Sequence, residues 1–137
     1  MRIAIVGSEG KYWDYNSRTK AVRKIREIFY KHVPMDFNHM LFNELTLVSG
    51  GCPKGGVDIF AECVADTLLM RKLIFEPDHN SWEGKKGKRG YKQRNIQIAE
   101  ECDILYCIDP KERDWSGGRW TMNYAEKLGK ETHLILL

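Results

Sequence analysis

Residues 49–61 read SGGCPKGGVDIFA and place four glycines, a proline and a lysine between a short apolar run and an amphipathic pattern. The run LTLVS at 45–49 predicts a buried strand, and the segment after the glycines predicts a helix that begins near Val57 and Asp58. Glycines let backbone amides approach an anion closely, and the amino terminus of a helix adds a positive partial charge. The stretch therefore predicts a phosphate-binding loop between a strand and a helix.

The rest of the chain repeats this order of strand, loop and helix. Apolar runs predict further strands at 2–6, 72–75, 103–109 and 132–137, and helical spacing predicts helices from Ser17, as N-cap, to just before Pro34, at 91–102 and at 119–129. Strands that are apolar along their length and alternate with helices form a parallel sheet covered on both faces. We predict an α/β fold: a single Rossmann-like, doubly wound domain over residues 1–137 with about five parallel strands. Residues 34–43 are consistent with a loop or with an extra short helix.

Composition limits the kind of partner. The chain has 137 residues, 30% of them charged, and a formal net charge of +3, which is too small for bulk nucleic-acid binding. The four cysteines form no C-x-x-C pair and are predicted to be reduced structural thiols, and the histidines lack metal-ligand spacing. The amino-terminal apolar run of five residues is too short for a signal peptide or a membrane span. We predict a cytoplasmic protein with no membrane contact, metal or cofactor.

The strand-to-helix loops are the expected place for a ligand, since parallel sheets bind ligands beyond the carboxyl ends of their strands. These loops contain Gly7, Ser8, Gly10 and Lys11; Gly50, Gly51, Lys54, Gly55 and Gly56; a cation-rich run at 85–94; and Gly117, Gly118 and Arg119. Each loop alone has a simpler interpretation, because glycine pairs also serve tight turns and basic runs are often solvated surface. Their recurrence at one edge of one sheet favours an anion site made mostly of backbone.

The sequence contains neither the dinucleotide fingerprint G-x-G-x-x-G nor the P-loop G-x-x-x-x-G-K-[ST]. In order and spacing, SGGCPKGGVDIFA, KRGYKQRN and SGGRWTMNYAEKLGK resemble the motifs of the SLOG superfamily. Its branches include the YspA/YpsA-type proteins, the LOG phosphoribohydrolases and DNA-processing protein A. The resemblance runs from Met1 to the last residue. It implies a Rossmann-like fold that binds a nucleotide or a nucleotide-derived ligand, and it implies a homodimer.

The YspA/YpsA-type pattern implies a set of ligand-binding positions when it is carried over residue by residue. They are Gly50, Gly51, Gly56, Asp58 and Ala61 in the first motif, Arg94 and Asn95 in the second, and Gly117, Gly118, Thr121 and Ala125 in the third. The loop residues Gly7, Ser8, Lys54, Gly55 and Arg119 complete the predicted binding set.

Whether the ligand is also a substrate stays open. LOG enzymes cleave an N-glycosidic bond with an arginine and a glutamate, and the resemblance places Tyr124 at the position of that glutamate. A carboxylate stabilises the cationic sugar of the transition state, whereas a neutral phenol does not. The remaining catalytic candidates are Asp58, Arg94 and Glu9, and Asp58 has the alternative role of compensating the dipole of its helix.

Aromatic residues in the loops suggest stacking on a base. They are Tyr12, Trp13, Tyr15, Trp82, Trp115 and Trp120. The same residues are equally consistent with sealing the loops over the sheet edge or with a contact between subunits. Single-stranded nucleic acid is an alternative ligand because of the run at 85–94, and such binding requires a steep salt dependence.

Overall fold

A computed structural model of the protein describes residues 1–80 and 90–137. The strands are β1 (Arg2–Gly7), β2 (Met35–Asp36), β3 (His39–Met40), β4 (Thr46–Ser49), β5 (Arg71–Ile74), β6 (Ile104–Asp109) and β7 (Glu131–Leu136). The helices are α1 (Tyr15–His32), α2 (Val57–Thr67), α3 (Tyr91–Glu101) and α4 (Gly117–Lys127). Nothing is described for residues 81–89, so Trp82 and the part of the basic run from 85 to 89 lie outside the described residues.

The main sheet has five parallel strands in the order β5-β4-β1-β6-β7. Helices α1 and α2 contribute to the core on one face of this sheet, and α3 and α4 contribute to the core on the other face. The prediction of a doubly wound, Rossmann-like α/β fold is confirmed. The order in which the strands are added to the sheet reverses between β1 and β6. The loops after these two neighbouring strands therefore lead to helices on opposite faces.

The alternation of side chains along β1 explains how both faces are covered. Ile3 and Ile5 belong to the core cluster under α1 and α2, while Ala4 and Val6 belong to the cluster under α3 and α4. Successive side chains of a strand point to opposite faces, so a strand between two helix layers is apolar at every position. All six residues of β6 are buried for the same reason.

Helix α1 begins earlier than its apolar spacing predicts, and the prediction of Ser17 as N-cap is wrong. Asp14 is the N-cap, and its Oδ1 accepts a hydrogen bond from the Ser17 backbone N–H at 2.8 Å. Ser17 Oγ in turn accepts from the Asp14 backbone N–H at 3.1 Å. Ser17 therefore lies at the third helical position and completes a reciprocal capping box.

Most of residues 34–43 form a small antiparallel hairpin of β2 and β3, which was not predicted, and the predicted short helix begins only at the end of this range. Its turn residues Phe37 and Asn38 have φ angles of 46° and 70°. Positive φ at both central positions is the backbone of a type I′ turn, which matches the twist of the flanking strands. A short 3-10 helix, Phe42–Glu44, connects the hairpin to β4.

Two further sequence predictions concern membranes and thiols. Within residues 1–80 and 90–137, no helix is long and apolar enough to cross a bilayer. The four cysteines are free, and burial raises the pKa of the Cys102 thiol to about 11. A thiol that stays protonated at neutral pH is a poor nucleophile, so Cys102 serves as a small apolar core residue.

Candidate functional site

A cavity of about 340 Å³ lies beyond the carboxyl ends of the central strands, at the point where the strand order reverses. Ligands of open α/β sheets bind in this crevice. Each wall comes from a different loop or helix start. The polar and glycine residues among the lining are Gly7, Ser8, Glu9 and Tyr12; Cys52, Lys54, Gly55 and Asp58; Tyr91, Arg94 and Asn95; and Arg113, Ser116, Gly117, Gly118 and Thr121.

The floor beside β6 is organised by Asp109, whose side chain is fully buried. Its Oδ1 accepts a hydrogen bond from Ser8 Oγ at 2.7 Å. Its Oδ2 accepts from Ser116 Oγ at 3.0 Å and from Arg119 Nε at 2.8 Å. A buried carboxylate is tolerated when it is paired with a cation and its lone pairs are satisfied, as they are here. Asp109 therefore joins the loop after β1 to the loop after β6.

Arg119 fixes the backbone of the β6–α4 loop. While its Nε faces Asp109, its Nη1 donates to the Asp114 carbonyl and its Nη2 donates to the Arg113 carbonyl. Arg119 belongs to the predicted binding set, yet it is not among the cavity-lining residues. The structure places this guanidinium behind the cavity wall, where it supports the loop that forms the wall.

The start of α4 is pressed against the end of β1. A Cβ atom on residue 118 would lie 2.5 Å from the Gly7 backbone nitrogen, so the approach requires glycine at 118. Ser116 is the N-cap, and its Oγ accepts from the Arg119 N–H at 3.3 Å. The first amides of a helix have no acceptor within the helix. Gly117 and Gly118 are the first two residues of α4 and line the cavity, so their N–H groups can donate to a ligand there.

The glycines of the loop at 49–61 serve mainly close packing between loops. A Cβ atom on Gly56 would lie 2.3 Å from the Ser8 carbonyl oxygen, and Gly56 has a φ of +84°. The Gly55 N–H donates to the Cys52 carbonyl at 3.1 Å within a turn. Gly50, Gly51 and Gly56 are absent from the cavity lining, which contains Gly55 from this loop.

Arg94 and Asp58 occupy the wall made by α2 and α3. Arg94 is only 8% exposed, and its Nη1 donates to the Gly50 carbonyl at 2.7 Å while its Nε donates to Asn95 Oδ1 at 2.9 Å. Asp58 Oδ2 accepts from the Cys52 N–H at 3.1 Å. Burial raises the pKa of Asp58 to about 6, although the Arg94 charge and the Cys52 hydrogen bond act in the opposite direction. Asp58 therefore changes protonation close to neutral pH.

The mouth of the cavity carries both signs of charge. Glu9 Oε2 lies 3.9 Å from Lys54 Nζ, and Glu9 Oε1 lies 3.5 Å from Lys11 Nζ. On the other side, the guanidinium carbon of Arg113 lies 3.5 Å from the centre of the Tyr12 ring. Arg113 Nε also donates a long hydrogen bond of 3.4 Å to Ser8 Oγ.

The loop aromatics have different positions. Tyr12 lines the cavity, together with Tyr91 at the start of α3. Trp13 packs edge-on against Phe60 and donates from Nε1 to the Ser8 carbonyl at 3.0 Å. Trp13 and three more of these residues lie outside the lining set: Trp120 stacks on Tyr124 along α4, and Tyr15 and Trp115 are exposed.

The structure adds residues that the sequence motifs do not mark. Asp109 and Arg113 lie outside the three motifs, and Tyr91 and Ser116 lie within them but not at predicted binding positions, although all four lie in or beside the cavity. Asp109 has one usable signal, since an acidic residue at the carboxyl end of a wholly buried strand is unusual. Arg113 has a different signal in the sequence, because it is a cation in a predicted strand-to-helix loop.

Comparisons with known proteins support the fold. DNA processing protein A from Helicobacter pylori superposes with a TM-score of 0.63 at 18% identity, over 98% of this chain and 64% of that chain. The molybdenum cofactor carrier protein from Chlamydomonas reinhardtii superposes with a TM-score of 0.65 at 16% identity, over 97% of this chain and 74% of that one. The chain thus spans less than two thirds of the length of the Helicobacter protein. No protein-family model and no curated protein matches the chain.

Proposed function

We propose that the chain is a SLOG-type domain of the YspA/YpsA branch that binds a nucleotide or a nucleotide-derived ligand in this cavity. The observation that carries the proposal is the meeting of three kinds of group at the switch point of the sheet. They are the amides at the start of α4, the guanidinium groups of Arg94 and Arg113, and the rings of Tyr12 and Tyr91. We take residues 1–137 as one domain, and a homodimer stays a prediction of the resemblance.

The start of α4 suits the phosphate of such a ligand. Gly117 and Gly118 bring two amide donors and the positive end of the helix dipole to the same wall. The cavity volume of about 340 Å³ lies within the range of about 300–1,000 Å³ that small-molecule sites have. Because this volume is at the lower end of the range, a mononucleotide is a better match in size than a dinucleotide.

The remaining lining suits a sugar and a base. The carboxyls of Asp58 and Glu9 can accept hydrogen bonds from hydroxyl groups, and Tyr91 offers an aromatic ring beside Tyr12, whose own ring already carries Arg113. The fold neighbours point in the same direction. The Helicobacter protein binds single-stranded DNA and the Chlamydomonas protein carries the molybdenum cofactor, which supports a ligand-binding role for this fold.

Two variants of Gly117 test the phosphate position. Gly117→Pro removes one amide donor while proline is well tolerated at the first helical position. Ser116 already has the extended backbone, φ −148° and ψ 164°, that a following proline requires. Gly117→Ala is the matched control, because a Cβ atom there meets nothing within 4 Å and the N–H is kept.

Calorimetric titration with the mono-, di- and cyclic phosphates of the four ribonucleosides gives the readout. We expect wild type and Gly117→Ala to bind at least one of them equally, and Gly117→Pro to bind it about 10-fold or more weakly, since a hydrogen bond to a charged group contributes about 1.5–3 kcal/mol. Absence of nucleotide binding by wild type contradicts the proposed function. Equal binding by the proline variant contradicts the phosphate position.

Cleavage of an N-glycosidic bond is a second candidate, favoured by the partly buried Asp58 with its raised pKa of about 6. Such a carboxyl can exchange a proton at neutral pH. Tyr124, at the position of the LOG glutamate, packs on Trp120 and does not line the cavity. Chromatography for free base after incubation with nucleoside monophosphates tests this candidate, and Asp58→Asn should abolish any release that wild type shows.

Binding of single-stranded nucleic acid is the third candidate, and it depends on the basic run at 85–94. Of this run, the structure describes residues 90–94, with Arg94 turned inward to Gly50. Neutralising several phosphates releases counterions, so the affinity must fall steeply with salt. Oligonucleotide binding that is insensitive to salt between 50 and 200 mM, roughly the range in which such effects are large, contradicts this candidate.

A further inference from the structure

Arg113 combines a fixed backbone with a side chain at the cavity. It lies in the loop between β6 and α4, where its N–H donates to the Pro110 carbonyl at 3.0 Å and its own carbonyl accepts from Arg119 Nη2. Arg119 is itself held by the buried Asp109. The main chain of Arg113 is therefore positioned by an ion pair beneath the cavity, and Arg113 itself is one of the residues that line the cavity.

The side chain of Arg113 connects the two loops that meet at the switch point. Its guanidinium carbon lies 3.5 Å from the centre of the Tyr12 ring, in the loop after β1. Its Nε donates to Ser8 Oγ, which can accept because its own proton is given to Asp109 Oδ1 at 2.7 Å. Stacking on a tyrosine holds the plane of a guanidinium and leaves its edge free to donate.

Among the residues that the structure describes, none neutralises the charge of Arg113 by an ion pair. Among the lining cations, Lys54 faces Glu9 at 3.9 Å, and Arg94 donates to Gly50 and Asn95 beside Asp58. In residues 1–80 and 90–137, no carboxylate lies within 4 Å of Arg113 or of Arg94, but Arg94 Nη1 has an acceptor, whereas neither Nη atom of Arg113 has one there. Its two Nη groups are thus donors at the same cavity as the first amides of α4.

We infer that Arg113 determines specificity for a terminal phosphate, so that the site selects 5′-monophosphates over the parent nucleosides. This inference rests on the proposed function and adds the group that reads the charged end of the ligand. Arginine binds a phosphate with two parallel hydrogen bonds, whereas lysine acts as a point charge. A neutral 5′-hydroxyl leaves the guanidinium without its counter-ion and cannot form the two parallel bonds, because it offers one uncharged oxygen.

Three variants isolate this role. Arg113→Gln removes the charge and keeps much of the side-chain length, and Arg113→Lys keeps the charge but loses the fork and the stacking on Tyr12. Arg23→Gln is the control for net charge, because Arg23 is an exposed residue of α1 outside the cavity. Each variant is titrated by calorimetry with the four ribonucleoside 5′-monophosphates, the parent nucleosides, ribose 5-phosphate and inorganic phosphate at constant ionic strength.

We expect wild type and Arg23→Gln to prefer monophosphates over nucleosides. Arg113→Gln should lose about 10- to 100-fold in affinity for the monophosphates, the range of a hydrogen bond to a charged group. Its affinity for nucleosides should stay within about 2-fold of wild type. The affinity of Arg113→Lys for the monophosphates should lie between those of wild type and Arg113→Gln. Thermal unfolding checks that each variant is folded. If Arg113→Gln is not folded, the affinities of Arg113→Lys are compared with those of wild type instead.

Two results overturn the inference while the proposed function stands: equal binding of nucleosides and monophosphates by wild type, or unchanged monophosphate binding by Arg113→Gln. If wild type binds neither nucleosides nor nucleotides, the proposed function fails. Ribose 5-phosphate and inorganic phosphate then decide the role of Arg113. If wild type binds either phosphate compound and Arg113→Gln does not, the phosphate-binding role of Arg113 stands. If wild type binds neither compound, that role is overturned.

Discussion

Replacement of Asp109 by asparagine should destabilise the whole fold. The side chain is fully buried, is paired with Arg119 and accepts hydrogen bonds from Ser8 and Ser116. Asparagine has nearly the same shape, but it leaves the largely buried Arg119 cation without its anion and points an N–H group at the Arg119 N–H donor. Breaking one side of a buried ion pair costs about 3–5 kcal/mol. The unfolding entropy of about 2.1 cal/mol/K per residue converts this loss to a fall in Tm of about 10–17 °C.

Differential scanning calorimetry of Asp109→Asn at pH 7 measures this shift. Glu101→Gln is the matched control, because it breaks the exposed ion pair between Arg2 and Glu101, which is worth about 0–1 kcal/mol. The double variant Asp109→Asn with Arg119→Gln should lose less stability than the two single variants together, since it removes both buried charges. A Tm for Asp109→Asn within about 3 °C of wild type, less than a 1 kcal/mol change, would show that this ion pair does not anchor the loops.

Two further predictions concern the walls of the cavity. The raised pKa of Asp58 means that the folded state binds this proton more tightly than the unfolded state, so ionised Asp58 destabilises the fold as pH rises from 3.8 to about 6. Asp58→Asn should therefore unfold at a higher temperature than wild type at pH 7.5 and at nearly the same temperature at pH 3.5; a difference that does not vary with pH contradicts this. Gly118→Ala should lower the free energy of unfolding by about 1–3 kcal/mol in urea titrations, because its Cβ would lie 2.5 Å from the Gly7 nitrogen. Gly117→Ala, where a Cβ meets nothing within 4 Å, should not lower it, and equal effects of the two alanines would refute the packing argument.

The sheet could be predicted from sequence because burial on both faces leaves a direct mark. Strand β6, Ile104–Asp109, is buried at every position and is apolar except at its last residue. The hairpin at 35–40 leaves no such mark, since all of its strand residues are exposed. Its turn places Phe37 at positive φ, a conformation for which glycine or asparagine is the usual signal.

The candidate site was predictable in outline only. Glycines after a strand indicate that the backbone of the loop closely approaches another group. The sequence does not say whether that group belongs to a ligand or to another part of the protein. Gly56 approaches the Ser8 carbonyl, and Gly50 approaches the Arg94 side chain. The contact of Ser8 with Asp109 joins residues 101 positions apart. Such contacts follow from the strand order, which brings β1 beside β6, and not from local spacing.

The distribution of charge in the cavity bears on the choice between a small ligand and a polymer. Arg113 and the first amides of α4 line the cavity, and Asp58 and Glu9 bring carboxyls to the same cavity. A phosphate placed near an ionised carboxylate is repelled, and the repulsion is strong where water is excluded. A nucleic-acid strand with a phosphate at every residue would have to accept such contacts. A ligand with one charged end and a hydroxyl-bearing remainder avoids them by directing its phosphate to Arg113 and its hydroxyls to Asp58, so the mixed lining favours a mononucleotide.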